Sequence, residues 1–514
     1  MERKEKKGWP LFRLIIPRFP EINIFTNHAE RTTALGPVMV ATAANKLWDW
    51  NVEVIDENNY KGPRDNRGLP DHEFIQKERP ADVVGFYCGL TSTMERAWEL
   101  SVLYQSKGVF TIAGGWHAHY CPEETMRHNI DVVVHGDGEI AIRQILTAIK
   151  EKKSFKEIAG ISFWDNNGQI KTNSTNTVSG MLEADLDDLP FPDFGLLKYS
   201  KGIKIYPLGR IRGCRMNCEF CSVKGKPRWA SSQHFFDTIN LLVETRKAKS
   251  FFIVDDRSEE DREGTVEFFR MISGKYGRKL SFTVQARLEA SKDDELLDAM
   301  KAAGVGTVCI GYESPDKLDL KAMRKGYHQF SDIVGWTEKW HKKDFRVHQM
   351  LIFGYPPKEK GEPVSVKEMT KSFKALIRAT HPESLQVLHP VPLVGTELRQ
   401  RLEKEGRIFP LDVVPWSRYD GSYICFSPDN MTLRELQEIP MVLMKRFYDP
   451  MGFLRIILRT VAFPADYVLR GWERWYRGWY GDIVRYGGHL LIIKWRKRQR
   501  IPDFLKKLEQ HEAR

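Results

Sequence analysis

Short apolar runs alternate with longer amphipathic stretches along the first 150 residues. Runs rich in Val, Ile, Leu and Phe predict strands at residues 11–17, 52–56, 82–88, 110–115 and 131–135. Helical spacing between them predicts helices that include residues 37–50 and 94–106. This alternation predicts an α/β domain with a doubly wound parallel sheet. The carboxyl ends of its strands would form the crevice in which such sheets bind ligands.

Two further segments complete the first part of the chain. Residues 160–173 predict a β-hairpin whose turn is Asn167-Gly168. Residues 183–202 contain Pro190 and Pro192, and two prolines so close exclude a regular element. We therefore predict a first domain at residues 1–182 and a linker at residues 183–202.

A second α/β series follows the linker. Its apolar runs predict strands at residues 205–210, 251–255, 281–286, 307–312, 347–353 and 384–388. Helices are predicted between them, for example at residues 260–276 and 292–303. Six such units predict a partial (β/α)6 barrel at residues 203–400, with its active site at the carboxyl ends of the strands. Residues 401–514 predict a mostly helical C-terminal region with a basic, Trp-rich tail.

Composition narrows the class of protein. A chain of 514 residues with 42% hydrophobic content has room for about three domains. It shows no apolar run of about 18 residues and no secretory leader, which predicts a soluble cytoplasmic protein. The net charge of +11 is concentrated in residues 451–514, which hold 14 Lys and Arg against 6 Asp and Glu. The charge therefore does not mark the remainder of the chain as a nucleic-acid-binding protein.

Three of the seven cysteines lie within eight positions, as Cys214, Cys218 and Cys221, with Phe220 before the last. This density argues against a chance cluster. Three thiolates at C-x3-C-x2-C bind three irons of a [4Fe-4S] cluster and leave the fourth iron open. Electron-transfer ferredoxins and structural zinc sites instead supply four ligands.

The motif resembles the signature of radical S-adenosylmethionine (SAM) enzymes. The resemblance implies that the open iron holds the amino and carboxylate groups of SAM. An electron from a flavodoxin- or ferredoxin-type donor would then cleave SAM to methionine and a 5′-deoxyadenosyl radical. Four residues after barrel strands match positions that this family uses to hold SAM: Asp255, Arg287, Glu313 and Gly354. Taken singly, each is also explained as a surface ion pair or a turn glycine.

Four motifs of the first domain resemble the Rossmann-like cobalamin-binding domain that precedes the radical SAM domain in one subfamily. The residues that the resemblance assigns to cobalamin are Asp56, Thr91, Ser92, Gly114, Gly115, His117, Gly136 and Glu139. Glycines would let the backbone approach the macrocycle, and hydroxyls would bind its polar tail. The alternative is a generic or degenerate sheet domain. The histidine of the cobalt-binding motif Asp-x-His-x-x-Gly is missing after Asp56, and we interpret His117 and His119 as structural or solvated rather than as cobalt ligands.

Together these motifs cover roughly residues 10–435 and identify a cobalamin-dependent radical SAM enzyme. The subfamily includes methylases and an anaerobic magnesium-protoporphyrin ester cyclase. The leading hypothesis is C-methylation of an unactivated carbon in a hydrophobic, lipid-like small molecule. Radical cyclisation without methyl transfer is the alternative. A non-catalytic cobalamin sensor is disfavoured, because a sensor has no need of the open cluster. No residue is assigned a catalytic acid–base role.

The C-terminal tail has three interpretations. Trp472, Trp475 and Trp479 share one face at helical spacing and are interleaved with arginines. Such a helix is suited to a membrane interface, here at the inner face. It is also suited to stacking on single-stranded nucleic acid. A structural cap on the barrel is the third interpretation. We expect no nucleic-acid partner.

Overall fold

A computed structural model describes residues 8–20, 29–177, 179–223, 225–326, 328–358 and 365–512. Its N-terminal sheet contains the strands β1 (Leu11–Ile16), β2 (Asn51–Asp56), β3 (Val83–Tyr87), β4 (Phe110–Gly114) and β5 (Val132–Val134). They are parallel and lie in the order 2-1-3-4-5. The hairpin β6 (Ile161–Trp164) and β7 (Ile170–Thr172) extends this sheet in antiparallel fashion beyond β5. The predicted doubly wound sheet is therefore confirmed.

In the described residues of this domain six α-helices accompany the sheet: Leu35–Ala44, His72–Glu78, Met94–Gln105, Trp116–Tyr120, Pro122–Arg127 and Gly138–Glu151. The last of these shows why the sequence folds in this way. It buries Ile142, Ile145 and Leu146 along one face, as helical spacing of apolar residues requires. It ends where Lys152 adopts a left-handed conformation.

The central sheet contains β8 (Tyr206–Leu208), β11 (Ser250–Ile253), β12 (Ser281–Ala286), β13 (Val305–Glu313), β14 (Arg346–Ile352) and β15 (Ser384–Leu388). They pair in parallel in chain order, which confirms the predicted series of six β/α units. A two-residue antiparallel pair, β9 (Ile211–Arg212) and β10 (Arg228–Trp229), was not predicted. The intervening helices are Ser232–Arg246, Arg262–Tyr276, Asp294–Ala302, Lys317–Ala322, Phe330–Lys342 and Val366–Thr380.

The C-terminal region is mostly helical, as predicted. Its helices are Glu397–Lys404, Leu433–Phe447, Gly452–Val461, Phe463–Gln499 and Ile501–Glu512. Gly471 interrupts the longest of them with non-helical backbone angles, so that it consists of two helices in series. Within the described ranges, no helix combines the length and the apolar composition needed to span a bilayer.

The segment predicted as a linker packs against the N-terminal sheet. It forms two short 3-10 turns, Phe194–Leu196 and Ser200–Gly202. Between them, the backbone N–H of Lys198 donates to the carbonyl of Val54 at 2.9 Å. Phe194, in the first of these turns, meets the ring of Tyr206 on β8 edge-on, with 5.1 Å between centroids. The two sheets are thus held together by packing along this segment, while the domain boundaries drawn from the sequence stay predictions.

Candidate functional site

A cavity of about 400 Å³ lies between the N-terminal sheet and the central sheet. On one side it is lined by residues from the carboxyl-terminal parts of β3 and β4, including Tyr87 and Gly114. On the other side it is lined by Gly209, Ile211 and Asp256, which follow strands of the central sheet. Gly213 also lines the cavity, directly before the first cysteine of the C-x3-C-x2-C motif. One cavity therefore joins the carboxyl ends of both sheets to the cysteine segment.

Glycine makes the N-terminal wall of this cavity possible. Seven residues of this wall are glycines, and Gly115 shows why one of them is required. Its φ is +126°, and an added Cβ would lie 2.5 Å from the backbone nitrogen of Gly89. A side chain at this position would push apart the loops that follow β3 and β4. The missing side chains leave a backbone surface that a large planar ligand can approach closely.

An ion-pair network closes one side of the cavity. Arg212 of β9 contacts Asp137 at 2.8 Å and Glu139 at 2.7 Å. Arg228 of β10 contacts the second oxygen of Asp137 at 2.8 Å. Burial alone would raise the pKa of Asp137, but the two arginines lower it below its usual range. The Gly-Asp-Gly-Glu motif of the first domain therefore binds the central domain through the short antiparallel pair.

Gly136 serves the same junction. Its φ is +90°, and an added Cβ would meet the backbone of Leu182. The carbonyl of His135 accepts a hydrogen bond from the Leu182 N–H at 2.9 Å, and Asp137 accepts one from Ala184 at 2.8 Å. Gly136 is therefore needed for the close approach of the segment around residue 182.

The cysteine segment is anchored on both sides of its first cysteine. The N–H of Gly213 donates to Asp256 Oδ2 at 2.7 Å, and the N–H of Arg215 donates to Glu260 Oε1 at 2.9 Å. Cys218 is buried, while Cys214 and Cys221 are half-buried. The three thiols thus sit on a loop held by carboxylates from the end of β11.

Glu219, between two of these cysteines, is the center of a second set of contacts. It is buried, and Tyr355 donates to its Oε2 at 2.7 Å. Arg401 contacts it at 3.0 Å and Lys358 at 3.1 Å. Burial alone would raise the pKa of Glu219, but Arg401 and Tyr355 lower it. Sequence reasoning passed over this residue, because its partners lie far along the chain.

Two predicted SAM-binding residues lie beside the cysteine segment. Arg287 contacts Glu289 at 2.7 Å, and Lys325 contacts Glu313 at 3.0 Å. Both cations are close enough to Cys218 to interact with its charge. Glu313 has a φ of 59° at a register shift of β13, so it is held in a conformation that non-glycine residues rarely adopt. The positive side chains of Arg287 and Lys325 suit a negatively charged thiolate cluster.

Two other predicted SAM-binding residues support the fold around them. Asp255 is buried, and its Oδ1 accepts hydrogen bonds from the N–H groups of Arg210 and Ile211 at 2.5 and 2.9 Å. Burial raises its pKa to about 6. Gly354 has a φ of +75°, and a Cβ there would meet the side chain of Leu436. Their contacts with SAM stay predictions, and the neighbouring Asp256 lines the cavity instead.

Four of the five polar residues assigned to cobalamin lie behind the glycine wall. Asp56 is buried and accepts hydrogen bonds from Thr33 and from the backbone of Asn58. Burial raises the pKa of Asp56 to about 6. Residues that are buried and absent from the cavity lining also include Thr91, Ser92 and His117. By contrast Gly114, Gly115, Gly136 and Glu139 line the cavity.

His119 lines the cavity, although no ligand role was predicted for it. Its Nδ1 lies 3.0 Å from Nδ1 of His135, whose Nε2 lies 2.8 Å from Ser162 Oγ. Burial and the neighbouring His119 lower the pKa of His135 to about 4. The pair is therefore neutral at pH 7. Only the fold shows this contact, because the two residues belong to different loops.

Comparison with known proteins explains the arrangement. The B12 binding domain matches residues 24–146, and the Radical SAM superfamily matches residues 209–368. The chain is a radical SAM enzyme with a B12-binding domain. The predicted cofactors, which are cobalamin, a [4Fe-4S] cluster and SAM, are confirmed at this level.

Relatives cover most of the chain at low identity. An uncharacterized methyltransferase of Pyrococcus horikoshii is 25% identical over 82% of this chain and 91% of its own length. The bacteriochlorophyllide d C-12(1)-methyltransferase of Chlorobaculum tepidum is 22% identical over 91% and 92%. The fold is similar to that of the cobalamin-dependent SAM radical enzyme OxsB with aqua-cobalamin bound. That similarity has a TM-score of 0.63 at 16% identity, over 94% of this chain and 72% of OxsB.

The residues present fit these cofactors. Three thiols on one anchored loop beside Arg287 and Lys325 supply a donor set for a cluster with one open iron. The glycine wall of the B12-binding domain supplies backbone that a corrin can approach, because a Cβ at Gly115 would fill the space. Asp256 and Glu313 lie on the radical SAM side, at the ends of strands.

Proposed function

We propose that this enzyme transfers a methyl group to an unactivated carbon of a hydrophobic, lipid-like small molecule. The observation that carries the proposal is the single cavity that connects the glycine wall of the B12-binding domain to the cysteine segment. A methylase needs both cofactors within reach of one substrate. The similarity of this chain to two methyltransferases over most of its length supports methyl transfer over cyclisation.

The cofactors supply the radical and methyl-transfer chemistry, and the protein positions them. Cys214, Cys218 and Cys221 would hold the cluster. Arg287 would contact the SAM carboxylate, and Lys325 would hold Glu313 in place. Closure by the Arg212 ion pairs would keep water out of the cavity. We further propose a flavodoxin- or ferredoxin-type electron donor.

The proposal is tested by measuring two products together. Anaerobically purified, cobalamin-loaded enzyme is given SAM, a reductant and a lipid extract of its source organism. We expect 5′-deoxyadenosine and S-adenosylhomocysteine to rise in step when the extract is added. 5′-Deoxyadenosine without S-adenosylhomocysteine would overturn methylation in favour of radical cyclisation. Neither product, from enzyme with an intact cluster, would overturn both.

We also propose that the C-terminal region contacts the inner face of the cytoplasmic membrane. Residues 453–469 expose apolar side chains on two successive helices, among them Leu458 (58%), Val461 (76%), Val468 (82%) and Leu469 (80%). The tail is basic overall, which suits an anionic lipid surface. This contact would bring the enzyme to a lipid-like substrate. Within the described residues no disulfide joins two cysteines.

The tryptophans of the tail divide between two roles. Trp475 is buried, and its Nε1 donates to the carbonyl of Arg459 at 3.0 Å. Trp479 donates to Thr460 Oγ1 at 3.1 Å. Trp472 is 48% exposed. Trp475 and Trp479 therefore hold the helices together, and the exposed aliphatic residues supply the proposed lipid contact.

Vesicle flotation tests the membrane contact. Full-length protein is mixed with vesicles of phosphatidylcholine and phosphatidylserine. We expect the wild type to float with them and the double variant Val468→Glu/Leu469→Glu to remain in solution. Leu318→Glu is the control, because Leu318 is also an exposed apolar residue (58%) but lies on the radical SAM domain. Equal flotation of the double variant and the wild type would contradict the proposal.

A further inference from the structure

Three potential metal ligands meet outside the cofactor cavity. His117 lies on the helix Trp116–Tyr120, Cys121 follows it, and Glu124 lies on the helix Pro122–Arg127. One ligand atom from each residue lies within 4.8 Å of those of the other two. His117 Nε2 is 3.4 Å from Glu124 Oε2. Two ligands on one tetrahedral ion, with bonds of about 2.0–2.1 Å, lie about 3.3 Å apart.

The histidine has a nitrogen that needs a partner. His117 is fully buried, and its Nε2 makes no hydrogen bond within the part of the chain that the structure describes. A buried polar atom without a hydrogen bond costs about 1–3 kcal/mol. Its Nδ1 lies 3.3 Å from Thr91 Oγ1. A proton on Nδ1 that is donated to Thr91 leaves the lone pair of Nε2 directed at Cys121 and Glu124.

The carboxylate is also oriented by a neighbour. Trp416 Nε1 donates to Glu124 Oε1 at 2.9 Å, which leaves Oε2 toward the histidine. The guanidinium of Arg399 lies 4.9 Å from the center of the Trp416 ring. The histidine and the carboxylate thus each have a partner outside the group, as metal ligands in proteins commonly do.

We propose that His117, Cys121 and Glu124 bind one zinc ion. Imidazole, thiolate and carboxylate together suit zinc, whereas magnesium and calcium avoid sulfur ligands. The thiol of Cys121 loses its proton to solvent as the Zn–S bond forms. Glu124 is 29% exposed, so water can complete the tetrahedral coordination.

The position of the site gives the ion a structural role. Thr91 follows β3, the three ligands follow β4, and Trp416 belongs to the C-terminal region. The zinc ion would therefore hold the loops behind the glycine wall to the turn at residues 416–418. None of the three ligands lines the cofactor cavity, so the site is independent of the proposed reaction.

Metal analysis of the full-length protein tests the site. Protein purified anaerobically, incubated with zinc and dialysed is analysed for zinc and iron by mass spectrometry. We expect one zinc per chain, and this zinc should be retained when the three cluster cysteines are replaced by alanine. Cys121→Ser and Glu124→Gln should each lose it. Cys309→Ser and Glu123→Gln are matched controls that should keep it, because Glu123 is an exposed neighbour paired with Arg127.

Two further measurements guard against misfolded variants. Cys121→His supplies another zinc ligand and should retain the ion. Added Co²⁺ should give a thiolate-to-cobalt charge-transfer band in cobalamin-free wild type but none in Cys121→Ser. A wild type without zinc at unit stoichiometry would overturn the proposal. Zinc that survives both Cys121→Ser and Glu124→Gln, but disappears with the cluster cysteines, would also overturn it.

Discussion

The two sheets present different kinds of surface to the cavity that they share. The edge of the B12-binding domain contributes seven glycines and His119 to the lining, so part of its shape comes from missing side chains. The radical SAM edge lines the cavity with Arg212, Arg228 and Asp256, and Arg287 and Lys325 lie beside its cysteine loop. A large planar cofactor needs close approach of backbone, whereas a charged cluster and a zwitterionic ligand need counter-charges. One edge therefore selects its cofactor by shape, and the other selects by charge.

The largest effect is expected at the charged edge. Cys218→Ala leaves two thiolates for the cluster, so SAM cleavage should fall to background. Production of 5′-deoxyadenosine under reducing, anaerobic conditions measures this loss. Cys309→Ala, which removes a thiol from β13, should keep the wild-type rate. A Cys218→Ala variant that still cleaves SAM would show that the cysteine loop does not hold the cluster.

Adding one methyl group at Gly115 should disrupt the edge of the B12-binding domain, which selects by shape. Gly115→Ala combines a disallowed φ with contact against Gly89, so we expect a loss of about 3 kcal/mol in stability and of cobalamin retention. Gly108→Ala is the control, because Gly108 has a φ of +73° and open space around it. It should cost only about 1 kcal/mol. Denaturation midpoints and cobalamin absorbance after gel filtration measure both effects, and equal losses would refute the role of shape.

The contact between the two edges should have a smaller effect. Arg212→Met leaves Asp137 and Glu139 without one of their cations, which should cost about 2 kcal/mol. Arg127→Met breaks an exposed pair with Glu123 and should cost less than about 0.5 kcal/mol. Chemical denaturation at low and high salt measures the difference. Equal costs would show that the Arg212 contact does not hold the domains together.

The smallest effect concerns the neutral histidines. The pKa of His135 is about 4 in the folded chain against 6.5 when exposed. Between these values the unfolded chain binds more protons, so stability falls as the pH is lowered from about 6.5 toward 4. From pH 7 to pH 6 the wild type should lose about 0.7 kcal/mol more than His135→Gln. Denaturation at both pH values tests this, and parallel losses would contradict it.

The two edges were not equally predictable from the sequence. Strand positions followed from apolar runs, and β12 and β15 begin and end where the pattern indicates. The glycines and the cysteines also made the two binding edges predictable, because the function of these residues depends on residue type and spacing. The pattern could not tell which polar side chains turn toward the cavity. Thr91 and His117 share motifs with Gly89 and Gly115, yet they lie behind the wall.

Contacts between residues far apart in the sequence also could not be predicted from the hydrophobic pattern. Nothing near Glu219 indicates Arg401, and two-residue strands such as β9 and β10 are too short to give a periodic signal. The ion pairs of Arg212 depend on that short antiparallel pair. The contacts that join the domains were therefore the least visible part of the fold.

The anchoring of Glu219 by Arg401 has a consequence for biosynthesis. The two residues are 182 positions apart in the chain. At translation rates of about 5–20 residues per second, Arg401 emerges roughly 10–35 s after the cysteine motif. During this interval the three thiols are outside the ribosome without the contacts that later hold their loop. Iron delivery before the barrel closes would meet an unformed site, so cluster assembly must wait for the second half of the chain.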